Sequence, residues 1–278
     1  MNKLLSCLLF FSSVFSIAQN RDFFFEIRHQ PNSEYLSICE KSIKFKTKKE
    51  ADKEMLRVFD SIGLKRIRKG DKKETYKVLT ITKEQKKNHT IPIEILAYDF
   101  KFEGDLDKEK INETFNFESI QAKGYVDFEN KLTVNEFLID NEQSDKQAEA
   151  IKKIENREIC FDFPKHTIGI GESFSFEHIV YYSIPMRGDD FYSANCTATL
   201  VKVKKDIAYF KISSKQQSEN SSYDLVVRGS FKFNIEKNYA SYLFLQSELH
   251  VSEAIDDLTL IEHDYTEQNK VATVLKNN

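Results

Sequence analysis

The chain has 278 residues, of which 41 are Lys or Arg and 44 are Asp or Glu, and its isoelectric point is near 6.1. So balanced a charge gives the protein as a whole no attraction to nucleic acid or to an anionic membrane. Eight glycines in the entire chain leave little material for a phosphate-binding loop, which disfavours nucleotide chemistry. The 23 Phe and 12 Tyr can supply a sizeable core.

The N-terminus has the pattern of a cleavable secretory signal peptide over residues 1–18. Lys3 gives a short positive start, residues 4–15 are largely apolar, and Ser16 and Ala18 are the small residues that signal peptidase requires. The apolar stretch is too short to span a bilayer, which needs about 20 residues. We therefore expect cleavage after Ala18, a periplasmic or secreted mature protein that begins near Gln19, and no transmembrane segment in the mature chain.

Residues 19–140 are predicted to form an N-terminal β lobe with one helix. The helix is expected at 47–62, because Thr47 can cap its start, Glu50 stands at the capping-box position and Gly63 follows its last apolar residue. The strands predicted in this lobe are 23–29, 64–68, 75–82, 91–102, 113–128 and 132–139.

A second helix is predicted at 144–156, where Ala148, Ile151 and Ile154 are the only apolar residues of its inner face. So narrow an apolar face is typical of a connector on the surface. This helix divides the mature chain into the N-terminal lobe, a connector at 141–157 and a C-terminal β lobe at 158–278.

The C-terminal lobe shows the clearest periodicity of the chain. Between residues 223 and 235 the odd positions are mostly apolar and the even positions mostly polar, which predicts a strand with one buried and one solvated face. Such strands belong to antiparallel sheets, and short polar connections favour a meander of hairpins. We therefore predict a mainly β fold, with large antiparallel and curved sheets or a half-barrel meander in two lobes. The other strands predicted here are 174–182, 197–203, 207–212, 239–251 and 258–265.

One passage of the C-terminal lobe resembles a known group of proteins. Residues 163–174 contain a proline, a short apolar step and then Gly171-Glu172-Ser173-Phe174, which opens a strand. With the N-terminus that ends in Ala18 and the glycine-led strands that follow, this passage resembles secreted or periplasmic β-rich proteins of Bacteroidetes-type bacteria. The resemblance concerns mainly the C-terminal two-fifths of the chain. It implies an exported β protein and no catalytic residues.

The cysteines leave several arrangements open. Signal cleavage would remove Cys7 and leave Cys39, Cys160 and Cys196. An odd number of cysteines in an oxidising compartment permits one disulfide with one free thiol, or an intermolecular bridge. Three reduced, buried cysteines are the other interpretation, since a core of this size needs no disulfide.

No group of residues matches a catalytic or metal motif, since His-Glu-x-x-His, Cys-x-x-Cys and Gly-x-Ser-x-Gly are all absent. His178 falls on the apolar face of its predicted strand, where a hydrogen-bonded histidine in the core or at its rim is the favoured interpretation over a catalytic one. His250, Glu262, His263 and Asp264 could converge across neighbouring strands, although such residues are common on solvated strand faces. We therefore predict no catalytic, cofactor-binding or metal-ligating residue, and no cofactor.

Two segments could bind a partner. Residues 184–192 are predicted to form a long loop that exposes Met186, Phe191 and Tyr192 together, unless the loop folds over the core. The lysine-rich stretches 41–53 and 65–77 could attract an anionic polysaccharide or lipid headgroup, although a solvated face explains them as well.

These observations favour a non-enzymatic exported protein that binds a hydrophobic ligand or a component of the cell envelope, through a concave sheet face or the 184–192 loop. One alternative is a hydrolase whose carboxylates and histidines meet only in the fold. The other is a structural component of a surface assembly. Titratable groups that meet in a polar cleft would favour the enzyme.

Overall fold

The computed structural model describes residues 22–63, 65–111, 119–127, 129, 131–139, 163–184, 188–214, 223–256 and 259–276. Within them, one helix, α1, spans Lys53–Ser61. The strands are β1 Glu34–Glu50, β2 Ile67–Thr82, β3 Ile91–Leu106, β4 Glu109–Ile111, β5 Ser119–Val126, β6 Leu132–Ile139, β7 Ser173–Ile184, β8 Gly188–Lys204, β9 Ile207–Ser214, β10 Tyr223–Asn234, β11 Tyr239–Asp256 and β12 Thr259–Lys276.

All twelve strands belong to one antiparallel sheet in the order β6-β5-β3-β2-β1-β12-β11-β10-β9-β8-β7, with the short β4 beside β3. The sheet is open, and β6 and β7 are its edges. The first and last long strands lie at its centre, where β1 pairs with β12 along its whole length, from Glu34 opposite Lys276 to Glu50 opposite Leu260. The predicted mainly β, antiparallel fold is confirmed.

The helix prediction was too long at its N-terminal end. Residues 47–50 belong to β1, where Thr47 lies opposite Arg68 of β2 and His263 of β12, and α1 begins only at Lys53. Asp52 caps the helix by accepting a hydrogen bond from the Met55 backbone amide at 2.8 Å. None of the residues of α1 is fully buried. The strand pairing of 47–50 therefore outweighs the local capping signal.

Two strand predictions near the N-terminus were wrong, and several other predicted features lie outside the described residues. Strand β1 was missed between residues 34 and 46, whereas the strand expected at 23–29 is reduced to a single bridge between Phe23 and Ile168. The predicted signal peptide at 1–18, the connector helix at 144–156 and Cys160 lie outside the described residues. The described part contains no helix both long and apolar enough to cross a membrane.

The sheet curves so that the edge strand β7 faces the central strands β11 and β12. His178 and Tyr182 of β7 contact Ser247 of β11 and His263 of β12 through their side chains. We call the face that carries these contacts the inner face and the opposite one the outer face. Residues alternate between the two faces along each strand.

Two hydrophobic clusters line the inner face. The larger lies on β7–β12 and contains Phe210 and Phe231, whose rings stack at 4.2 Å, with Phe25 and Phe163 packed beside them. The smaller lies on the N-terminal strands and contains mainly aliphatic side chains: Cys39, Val78, Ile93, Ile95, Ala97, Ile120, Ala122 and Val126. Cys39 and Cys196 are buried in different clusters.

Candidate functional site

A group of polar side chains interrupts the apolar inner face where β7 lies over β11, β12 and β1. Cross-strand pairing brings these residues together, since Lys41 lies opposite both Glu74 and Asn269, and Glu267 lies opposite Ser247. We call this group the inner polar cluster. Its members are Lys41, Thr47, Glu74, His178, Tyr182, Ser247, His263, Tyr265, Glu267 and Asn269.

Glu267 is a carboxylate in the middle of the cluster, with only 6% of its surface exposed. Lys41 Nζ lies 3.0 Å from its Oε2, the Tyr265 hydroxyl donates to the same oxygen at 2.5 Å, and Asn269 Nδ2 donates to Oε1. Burial by itself would raise the pKa of Glu267, but the Lys41 charge and the three donors outweigh it and hold the pKa below its usual value. The carboxylate is therefore ionised and paired.

Tyr265 and His178 surround this ion pair in neutral form. Burial, and then the charge of Glu267, raise the pKa of the Tyr265 hydroxyl far above its usual value. Burial lowers the pKa of His178, and the charge of Glu267 opposes that shift only in part. His178 Nε2 lies 3.0 Å from Ser247 Oγ. His178 is partly buried, so the prediction of a hydrogen-bonded histidine in the core or at its rim is confirmed.

His263 lies on the same face of β12, two residues before Tyr265, and only 3% of its surface is exposed. Its Nδ1 lies 3.1 Å from Thr47 Oγ1 and 3.4 Å from the Tyr182 hydroxyl. Its Nε2 is buried and makes no hydrogen bond to any residue that the structure describes. Burial lowers the pKa of His263, and the nearby charges of Glu253 and Asp264 oppose that shift without reversing it. The ring is therefore neutral at neutral pH, with one ring nitrogen unused.

The surroundings of His263 are mostly apolar or aromatic. The ring of Tyr182 lies 5.8 Å from the His263 ring and 4.8 Å from the ring of Tyr265. Val251 lies directly opposite His263 on β11, and Leu249 lies opposite Tyr265; both are 2% exposed. A group that reaches Nε2 would thus meet a mainly hydrophobic wall.

The predicted loop at 184–192 is largely strand. β7 continues to Ile184 and β8 starts at Gly188, so Phe191 and Tyr192 are consecutive strand residues on opposite faces. Phe191 is 71% exposed, whereas Tyr192 is 7% exposed and packs against Tyr223 at 4.9 Å. The prediction that Phe191 and Tyr192 are exposed together was therefore wrong. Met186 lies outside the described residues.

Phe191 nevertheless belongs to an exposed apolar patch on the outer face. It lies directly opposite Tyr181 of the edge strand β7, which is 58% exposed, and Ile179 beside it is 41% exposed. The patch is therefore made by the hairpin of β7 and β8.

The four residues 250, 262, 263 and 264 do not converge. His263 is on the inner face, whereas Asp264 pairs with His250 at 2.9 Å on the outer face and Glu262 approaches Lys48 there at 3.5 Å. Alternation along β12 separates them. In the described part of the chain no group of three or more His, Cys, Asp or Glu residues could hold a metal ion.

The sequence reasoning missed most of the inner polar cluster. Lys41 and Thr47 fall in a segment that was not predicted as a strand, and Glu267 lies beyond the predicted end of the last strand. Alternation continues past that end, from Tyr265 through Glu267 and Asn269 to Val271, and would have placed these residues on the same face as the core.

Comparisons with known proteins give little further information. No protein-family model and no curated protein matches the chain. Among solved structures, this chain is similar to a lipovitellin structure that concerns lipid–protein interactions. The TM-score is 0.47 and the identity 7%, over 90% of this chain and 26% of that one. An acetoacetate decarboxylase-like enzyme from Sphingomonas wittichii RW1 gives a TM-score of 0.11 and 8% identity over 87% of this chain and 92% of that one. Neither likeness is close enough to bear on function.

Proposed function

We propose that the protein is an exported, non-enzymatic binding protein whose inner face takes a hydrophobic small molecule with one neutral polar group. The observation that carries the proposal is the buried Nε2 of His263, which has no hydrogen-bond partner in the described part of the chain. A buried polar group without a partner costs roughly 1–3 kcal/mol, which a ligand with a complementary group would recover. Export rests on the signal-peptide pattern of residues 1–18.

The tautomer of His263 decides which group the ligand offers. If the hydroxyl of Thr47 or Tyr182 donates to Nδ1, Nε2 carries the proton and needs an acceptor. If Nδ1 donates instead, Nε2 is an acceptor and needs a donor. A hydroxyl group satisfies both cases. Because the imidazole is neutral and Lys41 is engaged by Glu267, no free charge on these residues favours an anionic ligand.

The contact between Thr47 and His263 is the observation that favours the alternative, a hydrolase. A hydroxyl 3.1 Å from a histidine nitrogen has the geometry of a nucleophile and its base. The base of such a pair is normally oriented by a third group, but none of the described residues hydrogen-bonds His263 Nε2. Binding is therefore better supported than catalysis.

Binding is tested by competition with a fluorescent apolar probe such as 1-anilinonaphthalene-8-sulfonate, using straight-chain alcohols and alkanes of equal length. The alcohols should compete more strongly, by about 2- to 10-fold, since one hydrogen bond contributes about 0.5–1.5 kcal/mol. His263→Phe should abolish that preference. The control His250→Phe replaces an exposed histidine on the outer face and should leave it unchanged. Equal competition by alcohol and alkane in the unmodified protein would exclude this role for His263.

The exposed patch of Ile179, Tyr181 and Phe191 supports a second binding role, toward a component of the cell envelope. Purified protein should sediment with envelope fragments of its host, and Phe191→Ser should reduce the bound fraction. Phe24→Ser is the control, because Phe24 is 51% exposed and lies outside the patch. An equal loss in both variants would argue against a specific contact. Mass spectrometry of the same preparation tests cleavage after Ala18.

A further inference from the structure

A row of cross-strand neighbours crosses the outer face of the sheet, and lysine and tyrosine alternate at both of its ends. Each member lies directly opposite the next one on the neighbouring strand, so that the row follows the strand order and not the chain. From β8 to β3 the row contains Lys202, Tyr209, Lys232, Tyr242, Ala272, Ile38, Lys77 and Tyr98.

The lysines of the row lie against the tyrosine rings. Lys202 Nζ is 4.7 Å from the centre of the Tyr209 ring, and Lys232 Nζ is 5.7 Å from Tyr209 and 5.0 Å from Tyr242. Each contact contributes about 0.5–1 kcal/mol at an exposed site. These contacts hold the ammonium groups and rings in a fixed alternating order on the surface.

The two ends of the row differ in charge. At the β2–β3 end, Lys77 is paired with Asp99 at 2.7 Å. At the other end, the described strand segments 199–204, 207–213, 226–234 and 239–247 contain no acidic residue, and Asp206 lies in the turn between β8 and β9. Their basic residues are all on the outer face: Lys202, Lys204, Lys211, Arg228 and Lys232. The part on β8–β11 is therefore a basic surface with two aromatic rings.

We propose that this part of the row, which we call the lysine–tyrosine row, binds an extended anionic polysaccharide. Sugar rings would contact the parts of the Tyr209 and Tyr242 rings that the lysines leave open, and acidic groups would pair with Lys202 and Lys232. Lys202 and Lys232 are two strands apart, as are Tyr209 and Tyr242, and two strand spacings are about 10 Å. This distance is close to the length of one disaccharide. The best fit is a chain with one carboxylate per disaccharide that runs across the strands.

The composition of the surface favours a glycan over a lipid headgroup layer. Insertion into a membrane surface relies on protruding apolar side chains. Of the large hydrophobic side chains described next to the row on β8–β11, Val201 is the exposed one, with 45% of its surface exposed. Both tyrosines are partly buried, and Tyr209 lies between Lys202 and Lys232. A flat, hydroxylated chain matches this surface better. The site is on the opposite face from His263 and does not depend on the inner binding role.

The test measures binding of the mature protein to four fluorescently labelled polymers at low and physiological ionic strength. Hyaluronan, with one carboxylate per disaccharide, should bind, and its affinity should fall as salt rises. Neutral dextran should not bind, and poly-L-glutamate, which has charge but no rings, should bind at least tenfold more weakly, the equivalent of ~1.4 kcal/mol. Alginate, with a carboxylate on every sugar, should bind less tightly than hyaluronan per repeat.

The variants separate stacking from charge. Tyr209→Leu with Tyr242→Leu should weaken hyaluronan binding about tenfold, whereas the two Tyr→Phe changes, which keep the rings and the fold, should retain it. Lys202→Gln with Lys232→Gln should weaken binding and reduce its salt dependence. The control is Lys77→Gln, which changes a lysine at the β2–β3 end of the wider row. Asp99 neutralises Lys77 there, so this change should not affect binding.

Poly-L-glutamate binding as tight as hyaluronan binding would overturn the proposal, because the surface would then act only through charge. Binding to vesicles of phosphatidylglycerol without binding to hyaluronan would overturn it in favour of a lipid surface. Unchanged hyaluronan affinity in the folded Lys202→Gln and Lys232→Gln variant would exclude the row as the site.

Discussion

The ion pair between Lys41 and Glu267 gives the sharpest prediction about stability. Replacing Lys41 by Met leaves a 6% exposed carboxylate without its counter-charge. The cost is limited by protonation, because Glu267 can take up a proton in the folded state instead. From an ordinary pKa of 4.5 to pH 7, protonation costs about 3.4 kcal/mol at 1.36 kcal/mol per unit. We therefore expect Lys41→Met to lower the free energy of unfolding by about 3 kcal/mol at neutral pH.

The pH dependence has opposite signs in the two proteins. In the unmodified protein the folded pKa of Glu267 is lowered, so its contribution is present above the unfolded pKa near 4.5 and is lost as pH falls through the folded value. In Lys41→Met the folded pKa is raised, so stability falls as pH rises above about 4.5. The difference between the proteins should therefore be largest at neutral pH and shrink toward pH 4.5.

Urea titrations followed by far-UV circular dichroism measure this difference, since the chain has no Trp to report on unfolding. Lys41→Met with Glu267→Met should remove the acquired pH dependence and be less destabilised than Lys41→Met alone. Lys270→Met is the control, because its partner Glu40 is 38% exposed on the outer face, and should change stability by less than about 0.5 kcal/mol. A pH-independent loss in Lys41→Met would show that packing, and not charge, makes Lys41 important.

Three further predictions concern the C-terminal strands. Phe210→Ala should cost about 3–5 kcal/mol in unfolding free energy, because the ring is 1% exposed and stacks on Phe231, and a smaller loss in urea titrations would contradict the packing described. Gly229→Ala should destabilise by about 1–3 kcal/mol, since the added Cβ would lie 2.3 Å from the Phe244 carbonyl oxygen; an unchanged midpoint would mean that the strands separate easily. Cys196 should resist iodoacetamide in the native protein and react in urea, because it is fully buried and burial raises the pKa of its thiol to about 11; peptide mass spectrometry detects the adduct.

The strands that the sequence predicts well are those whose alternation is apolar on one side. Residues 223–235 predicted β10 to within one residue of its C-terminal end, because Leu225, Val227, Phe231 and Phe233 all belong to the core. That pattern is local, so no knowledge of the neighbouring strands was needed.

Strand β1 could not be predicted in the same way, because its inner face carries Lys41 and Thr47 between apolar residues. Their burial depends on Glu267 and His263, which are more than 200 residues away along the chain. A lysine has no favourable place on a buried face until its counter-charge is known. The same residues hid both the strand and the candidate site, and the capping signal at Thr47 suggested a helix in their place.

The inner polar cluster also explains why the register of β1 against β12 is well defined. Both faces of β1 carry polar residues, so apolar alternation alone specifies its register weakly. A shift by one residue would turn Lys41 to the outer face, leave Glu267 buried without its partner, and bring Lys44 or another outer lysine inward. The ion pair therefore opposes the shifted registers.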